Sequence, residues 1–145
     1  MSNILQITPF MHVADVENAV RFFVEVLGFT AYIEGPSYAY VQREAAGMRI
    51  LRASTSPGEI PGAGTCAFRY YIDVKDVDAI YAEIKPKVEA WPGSRLHGPV
   101  NQPYGQREVM VLAPDGDLVV FGQEIVGARE SDAAATLEPR TDAVD

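Results

Sequence analysis

The stretch FMHVADVENAV, residues 10–20, is echoed by YIDVKDVDAIY, residues 71–81. Each opens with alternating apolar residues, meets an aspartate, and continues with apolar residues at helical spacing. That order reads as a strand running into a capped helix. In the first copy Asp15 is the cap, Glu17 sits in the first turn, and Val16, Val20, Phe23 and Leu27 share a face before Gly28 ends the pattern. In the second copy Asp76 is the cap, Val77, Ile80, Tyr81 and Ile84 share a face, and Pro86 closes it. The two caps lie 61 residues apart, and the same offset pairs Phe10 with Tyr71, Met11 with Ile72, Val13 with Val74 and Val16 with Val77. Matched chemistry at one shared offset is an internal repeat.

The flanks extend the repeat. Residues 4–13 alternate as a strand, with Ile7, Pro9, Met11 and Val13 on one face and Thr8, Phe10 and His12 on the other. After the first helix come strand-like TAYIEG and then YAYVQREAAGMRILRAS, read as a hairpin turning near Ala46-Gly47. After the second comes REVMVLAPDGDLVVFGQE, a hairpin turning at APDGD. Aligning Gly47 with Gly116 gives an offset of 69, so about eight extra residues fall in the second half, assigned to a Gly- and Pro-rich loop over residues 92–105 that carries His97 into solvent. The chain therefore reads as α+β: two β-α-β-β-β units, about residues 1–60 and 61–126, in one domain. Residues 127–145 are rich in Ala, Asp and Glu and poor in large apolar residues, the composition of a disordered tail.

Bulk properties narrow the classes. A net charge of −8 without any basic run argues against nucleic-acid binding, and it favours a cationic ligand over an anionic one. Neither a membrane span nor a secretory leader is expected. The single cysteine, Cys66, excludes an internal disulfide, suits a reducing cytoplasm, and reads as a small core residue rather than a nucleophile.

The paired units, the pattern VADVENAVRFFVEVLGF and the turn LAPDGDLVVF resemble the vicinal-oxygen-chelate superfamily, which includes glyoxalase I, extradiol dioxygenases, fosfomycin-resistance enzymes and bleomycin-resistance proteins. Pro9 in the first strand and the segment QPYGQREVMVLAPDGD are most similar to the bleomycin-resistance branch. The resemblance implies sheets curled into a half-open cleft with the helices outside, and a homodimer whose N-terminal strand exchanges between subunits at Pro9.

In metal-dependent members of that superfamily a ligand lies seven residues before each capping aspartate, and a glutamate lies on the final strand. Those positions hold Thr8, Arg69 and Val120. Threonine is a poor ligand, arginine repels a cation and valine cannot coordinate. No metal and no cofactor are therefore expected. His12, with Glu108 or Asp73, is the weaker alternative as a ligand.

The candidate ligand-binding residues are aromatic and polar: Phe10, His12, Tyr38, Tyr40, Arg69, Tyr71, Trp91, Tyr104, Arg107 and Glu108. Arg69 projects inward at a former metal position, to hold an anionic or carbonyl oxygen or to pair with Glu108 or Asp73. Arg107 is expected to tie down the loop of Tyr104 by pairing with a carboxylate or with backbone carbonyls. Phe22, Phe23, Phe29, Phe68, Tyr81 and Phe121 are assigned to packing. The resulting expectation is a metal-free protein, not an enzyme, that sequesters a planar or cationic small molecule between aromatic rings. The alternatives are a lyase or isomerase related to glyoxalase or to dioxygenases, with a metal bound atypically or Arg69 as electrophile, and a dimeric interaction module whose cleft has lost its ligand.

Overall fold

The computed structural model describes residues 3, 5–52 and 69–126; Cys66, Phe68 and the tail 127–145 lie outside the described residues. The first unit comprises β1 (Phe10–Val13), α1 (Val16–Glu25), β2 (Thr30–Glu34), β3 (Tyr38–Arg43) and β4 (Ala46–Arg52). The second repeats that order with β5 (Arg69–Asp73), α2 (Val77–Glu89), β6 (Arg95–Asn101), β7 (Gln106–Leu112) and β8 (Leu118–Glu124). Each forms its own four-stranded sheet, β1-β4-β3-β2 and β5-β8-β7-β6, and the sheets do not close on one another.

Both aspartate caps form as the sequence requires. Asp15 accepts from the Asn18 amide at 3.0 Å and Asp76 from the Ala79 amide at 3.1 Å. Gly28 takes a left-handed conformation, φ 77°, which lets the Phe29 amide turn back onto the Phe23 carbonyl. Helix α1 buries Val16, Val20, Phe22 and Phe23 against Ala39, Val41, Met48 and Ile50 of its sheet. Each such side chain removed from water contributes about 1.5–3 kcal/mol. No helix among the described residues is long and apolar enough to cross a membrane.

Several boundaries differ from the sequence reading. The first strand is only Phe10–Val13; Leu5 and Ile7 precede it at 92% and 93% exposure, so Ile7 is not on a buried face. Pro86 does not close α2 but sits inside it, and burial of Val88 carries the helix one turn further. The first hairpin turns at Glu44-Ala45, with Glu44 at φ 51°, while Gly47 lies within β4. Residues 92–105 are not one loop, because they contain β6 with His97 on it. Gly98-Pro99 disguises that strand: it lies at a register break, which an edge strand tolerates. The pairs Phe10–Arg49 and Tyr71–Val120 are equivalent, so the offset over the last strands is 71, ten residues beyond 61, rather than 69.

Hydrogen bonds and an ion pair join the two units. Tyr70 donates to the Phe10 carbonyl at 2.7 Å, which sets edge strand β1 beside edge strand β5. Arg43 makes a double 2.9 Å bond to Glu83 of α2 and caps the Leu27 carbonyl. The Ala14 amide reaches Asp115 in the β7–β8 turn at 3.3 Å.

Candidate functional site

Period-two alternation gives each sheet a face packed on its helix and an open face. On the first sheet Met11, Val13, Ala39, Val41, Met48 and Ile50 turn inward, leaving Phe10, His12, Tyr38, Tyr40, Arg49 and Leu51 on the open face. On the second, Val109, Val111, Val119 and Phe121 turn inward, and Arg69, Tyr71, Glu108, Met110 and Val120 lie opposite. The Tyr70–Phe10 bond places these two open faces side by side.

Glu108 dominates the second face. It is 2% exposed, yet no cation lies beside it among the described residues. Tyr104 donates to its Oε2 at 2.8 Å and the Gln102 amide to its Oε1 at 3.2 Å. A tight turn sets these donors, with the Gln102 backbone N–H on the Gln106 carbonyl at 2.7 Å and Gly105 at φ 86°. Tyr71 lies across β8, over Gly122, and donates to Gln106 at 3.1 Å. Any side chain at Gly122 would overlap that phenol. Burial, then the charge and hydrogen bonding of Glu108, push Tyr71 ionisation well above the ordinary tyrosine range. Tyr104 is raised by burial first, then by its hydrogen bond to Glu108 and by the charge of that carboxylate. Both phenols therefore stay protonated as donors, Tyr104 to Glu108 and Tyr71 to the neighbouring Gln106.

The first face is built around Arg49. Its guanidinium donates to the Tyr38 hydroxyl and lies 5.3 Å from the Tyr40 ring centroid. Tyr40 packs over Gly47, bonds Gln42 at 2.8 Å, and has Tyr32 at 6.4 Å between ring centroids. Phe10 and His12 stand together, with rings 6.0 Å apart.

Two of the sequence candidates go elsewhere. Trp91 follows α2 and packs edge-on against Phe22 of α1 at 5.7 Å with Arg21 over its ring, so it belongs to the helix side. Arg107 also points to the helix side, where it bonds Asp78 at 3.0 Å and Asn101 at 2.8 Å. That hydrogen bond holds the Asp78 carboxyl below its usual range and raises Arg107. Arg107 thus ties β7 to α2 and to Asn101 at the end of β6. Arg69 is exposed at the start of β5 and makes no ion pair with Glu108 or Asp73 among the described residues. Arg49, Gln102, Gln106 and Gly122 were not singled out from the sequence. The charged Arg49 between inward-facing Met48 and Ile50 is the available signal for the first of them.

The metal positions carry the wrong donors. Thr8, Arg69 and Val120 offer no ligand set, and among the described residues no three His, Cys, Asp or Glu side chains converge. A crevice of about 400 Å³ opens on the helix side instead, lined by Phe29, Ile72, Ile80 and Phe121 with Arg43 and Lys75 at its rim. By alternation it lies behind the sheets, away from the aromatic faces.

Comparison with known proteins matches this architecture. Bleomycin resistance proteins of Geobacillus stearothermophilus and Staphylococcus aureus are each 28% identical over 134 residues, covering 83% of this chain and 98% of theirs. The bleomycin-binding protein of bleomycin-producing Streptomyces verticillus, solved with copper(II)-bleomycin, superposes with a TM-score of 0.66 at 28% identity, covering 83% of this chain and 97% of that one. TnmS3, an antibiotic binding protein from Streptomyces sp. CB03234, superposes with a TM-score of 0.62 at 26% identity over 86% of this chain and 99% of its own. With its two β-α-β-β-β units matched along residues 4–121, the chain belongs to the Glyoxalase/Bleomycin resistance protein/Dioxygenase superfamily.

Proposed function

We propose that this protein binds a small molecule without transforming it, a reading supported by its likeness to relatives named as bleomycin-binding and bleomycin resistance proteins, and that the ligand is planar with a cationic group. The observation that carries the reading is the Glu108 cluster. Among the described residues this buried carboxylate accepts from neutral Tyr104 and Gln102 with no cation beside it, next to two half-exposed rings, Tyr71 and Tyr104. A ligand cation near that charge gains electrostatically, and the rings supply stacking of about 0.5–1.5 kcal/mol per aromatic pair. Phe10, Tyr38 and Tyr40 form the second wall, with His12 beside them.

The working form is a cytoplasmic homodimer of one-domain chains. Leu5 and Ile7, outward before Pro9, suit an arm that adds to a second copy, which is the strand exchange the resemblance implies. The test is calorimetric titration with bleomycin, followed by recovery of the drug. Stoichiometric binding with the drug unchanged is expected, weakened at least about tenfold in Tyr104→Ala and in Glu108→Gln. No binding, or chemical conversion of the drug, would overturn the reading. Light scattering of the same sample at the mass of one chain would remove the dimer from it.

A further inference from the structure

Resting on that ligand-binding reading, we propose that the first open face carries an anion subsite, in which Arg49 holds an acidic group, a carboxylate or sulfonate, of an aromatic ligand. The ligand class is then bipolar rather than simply cationic, with its acid at Arg49 and its cation toward Glu108.

The argument starts from where the arginines stand. Arg21, Arg43 and Arg107 each face a carboxylate within 3.1 Å. Arg52, Arg69 and Arg95 are exposed at strand ends, where water solvates them. Arg49 fits neither group. It is half-buried in the middle of β4, paired across the sheet with Phe10 on β1 and Tyr40 on β3. Among the described residues no carboxylate lies beside it. Taking a permanent cation partly out of water without a counter-charge is unfavourable, and a tyrosine hydroxyl and a ring face only partly offset it.

The arrangement is also aimed. Tyr38 takes one guanidinium N–H, and Tyr40 covers one flank. The rest of the planar fork remains for a ligand, and bidentate recognition of an oxyanion is what arginine does better than lysine. Phe10, Tyr32 and Tyr40 supply rings beside it, so the subsite selects an acid attached to a flat ring system. The net charge of −8 repels anions from the molecule as a whole, so a preference for an anionic ligand has to arise locally.

Two dyes with the same rings isolate this charge: anilinonaphthalene sulfonate and its neutral counterpart phenylnaphthylamine. Both are titrated by fluorescence against the full chain and against Arg49→Met and Arg52→Met, with circular dichroism confirming that each variant is folded. The sulfonate should bind the wild type at least about tenfold more tightly, with that preference lost in Arg49→Met, kept in Arg52→Met and weakened by salt. Equal binding of the two dyes, or a preference removed by Arg52→Met alone, would overturn the anion subsite and leave the aromatic-face reading standing. Failure of both dyes to bind would remove both. Should Arg49→Met not fold, Arg49→Lys serves instead: the preference should shrink without vanishing, and an unchanged preference counts against the proposal.

Discussion

The two open faces are built on one repeated plan and end with opposite charge. Phe10 of the first is the counterpart of Tyr71 in the second, and Arg49 of the first is the counterpart of Val120. The first face is centred on an arginine in contact with two tyrosines; the second is centred on a glutamate with two tyrosines and two glutamines around it. Backbone topology therefore fixes where rings and charges stand, while single charged residues at open-face positions decide their sign. The faces also differ in how they are held. Glu108 is enclosed by a hydrogen-bonded cluster, whereas Arg49 leans on one hydroxyl and one ring face.

That difference predicts unequal costs. Glu108→Ala strands the Tyr104 hydroxyl and the Gln102 amide around a new void, and should cost about 3 kcal/mol in chemical denaturation. Glu108→Gln keeps the volume and removes a charge buried without a cation, so stability should change by no more than about 1 kcal/mol. Arg49→Ala on the other face should also cost no more than about 1 kcal/mol, since only the Tyr38 bond and the Tyr40 contact are lost. Equal losses for Glu108→Ala and Arg49→Ala would show that the two faces are held alike.

A smaller effect separates the tyrosines. Tyr71 reaches Gln106 only because Gly122 leaves β8 bare beneath it. Gly122→Ala should displace that ring, uncover Glu108 and cost about 2 kcal/mol. Gly47→Ala meets only the outer end of Tyr40, which can swing aside, and should cost under about 1 kcal/mol. Thermal melts of the two variants side by side decide whether the ring on the second face is the more firmly seated.

The sequence made the repeat readable because caps and periodicity are local. Asp15, Asp76 and the apolar stripes behind them need no knowledge of the partner sheet. What resisted reading were residues whose role depends on neighbours distant in sequence. β6 was hidden because Gly98-Pro99 looks like a loop until β7 is beside it. Trp91 looked like a stacking platform until Phe22 of the other unit claimed it. Glu108 was a candidate from the QPYGQRE segment, but its enclosure needed Tyr104, Gln102 and Tyr71 to be brought together. Gly122, which permits that enclosure, carries no side chain to attract notice.

The seam between the faces gives the mildest test. Tyr70→Phe deletes the hydrogen bond to the Phe10 carbonyl and leaves the ring in place. Its cost at neutral pH should be about 1 kcal/mol. The same tyrosine also links the seam to alkaline pH. Burial first, then the charge of Asp117, raises its ionisation well above the usual range in the folded chain. A phenol in the unfolded chain ionises near about pH 10, so above that pH the unfolded state loses a proton that the folded state retains. Stability from this group is thus complete below about pH 10 and falls as pH rises toward the folded value. Tyr71 adds a second contribution of the same sign. The wild type should lose stability between about pH 10 and 11, and Tyr70→Phe should lose it less steeply, so that the two stability curves converge with rising pH. A gap that stays constant across that window would mean that Tyr70 titrates alike in both states, and that the seam is more open to water than the Phe10 bond implies.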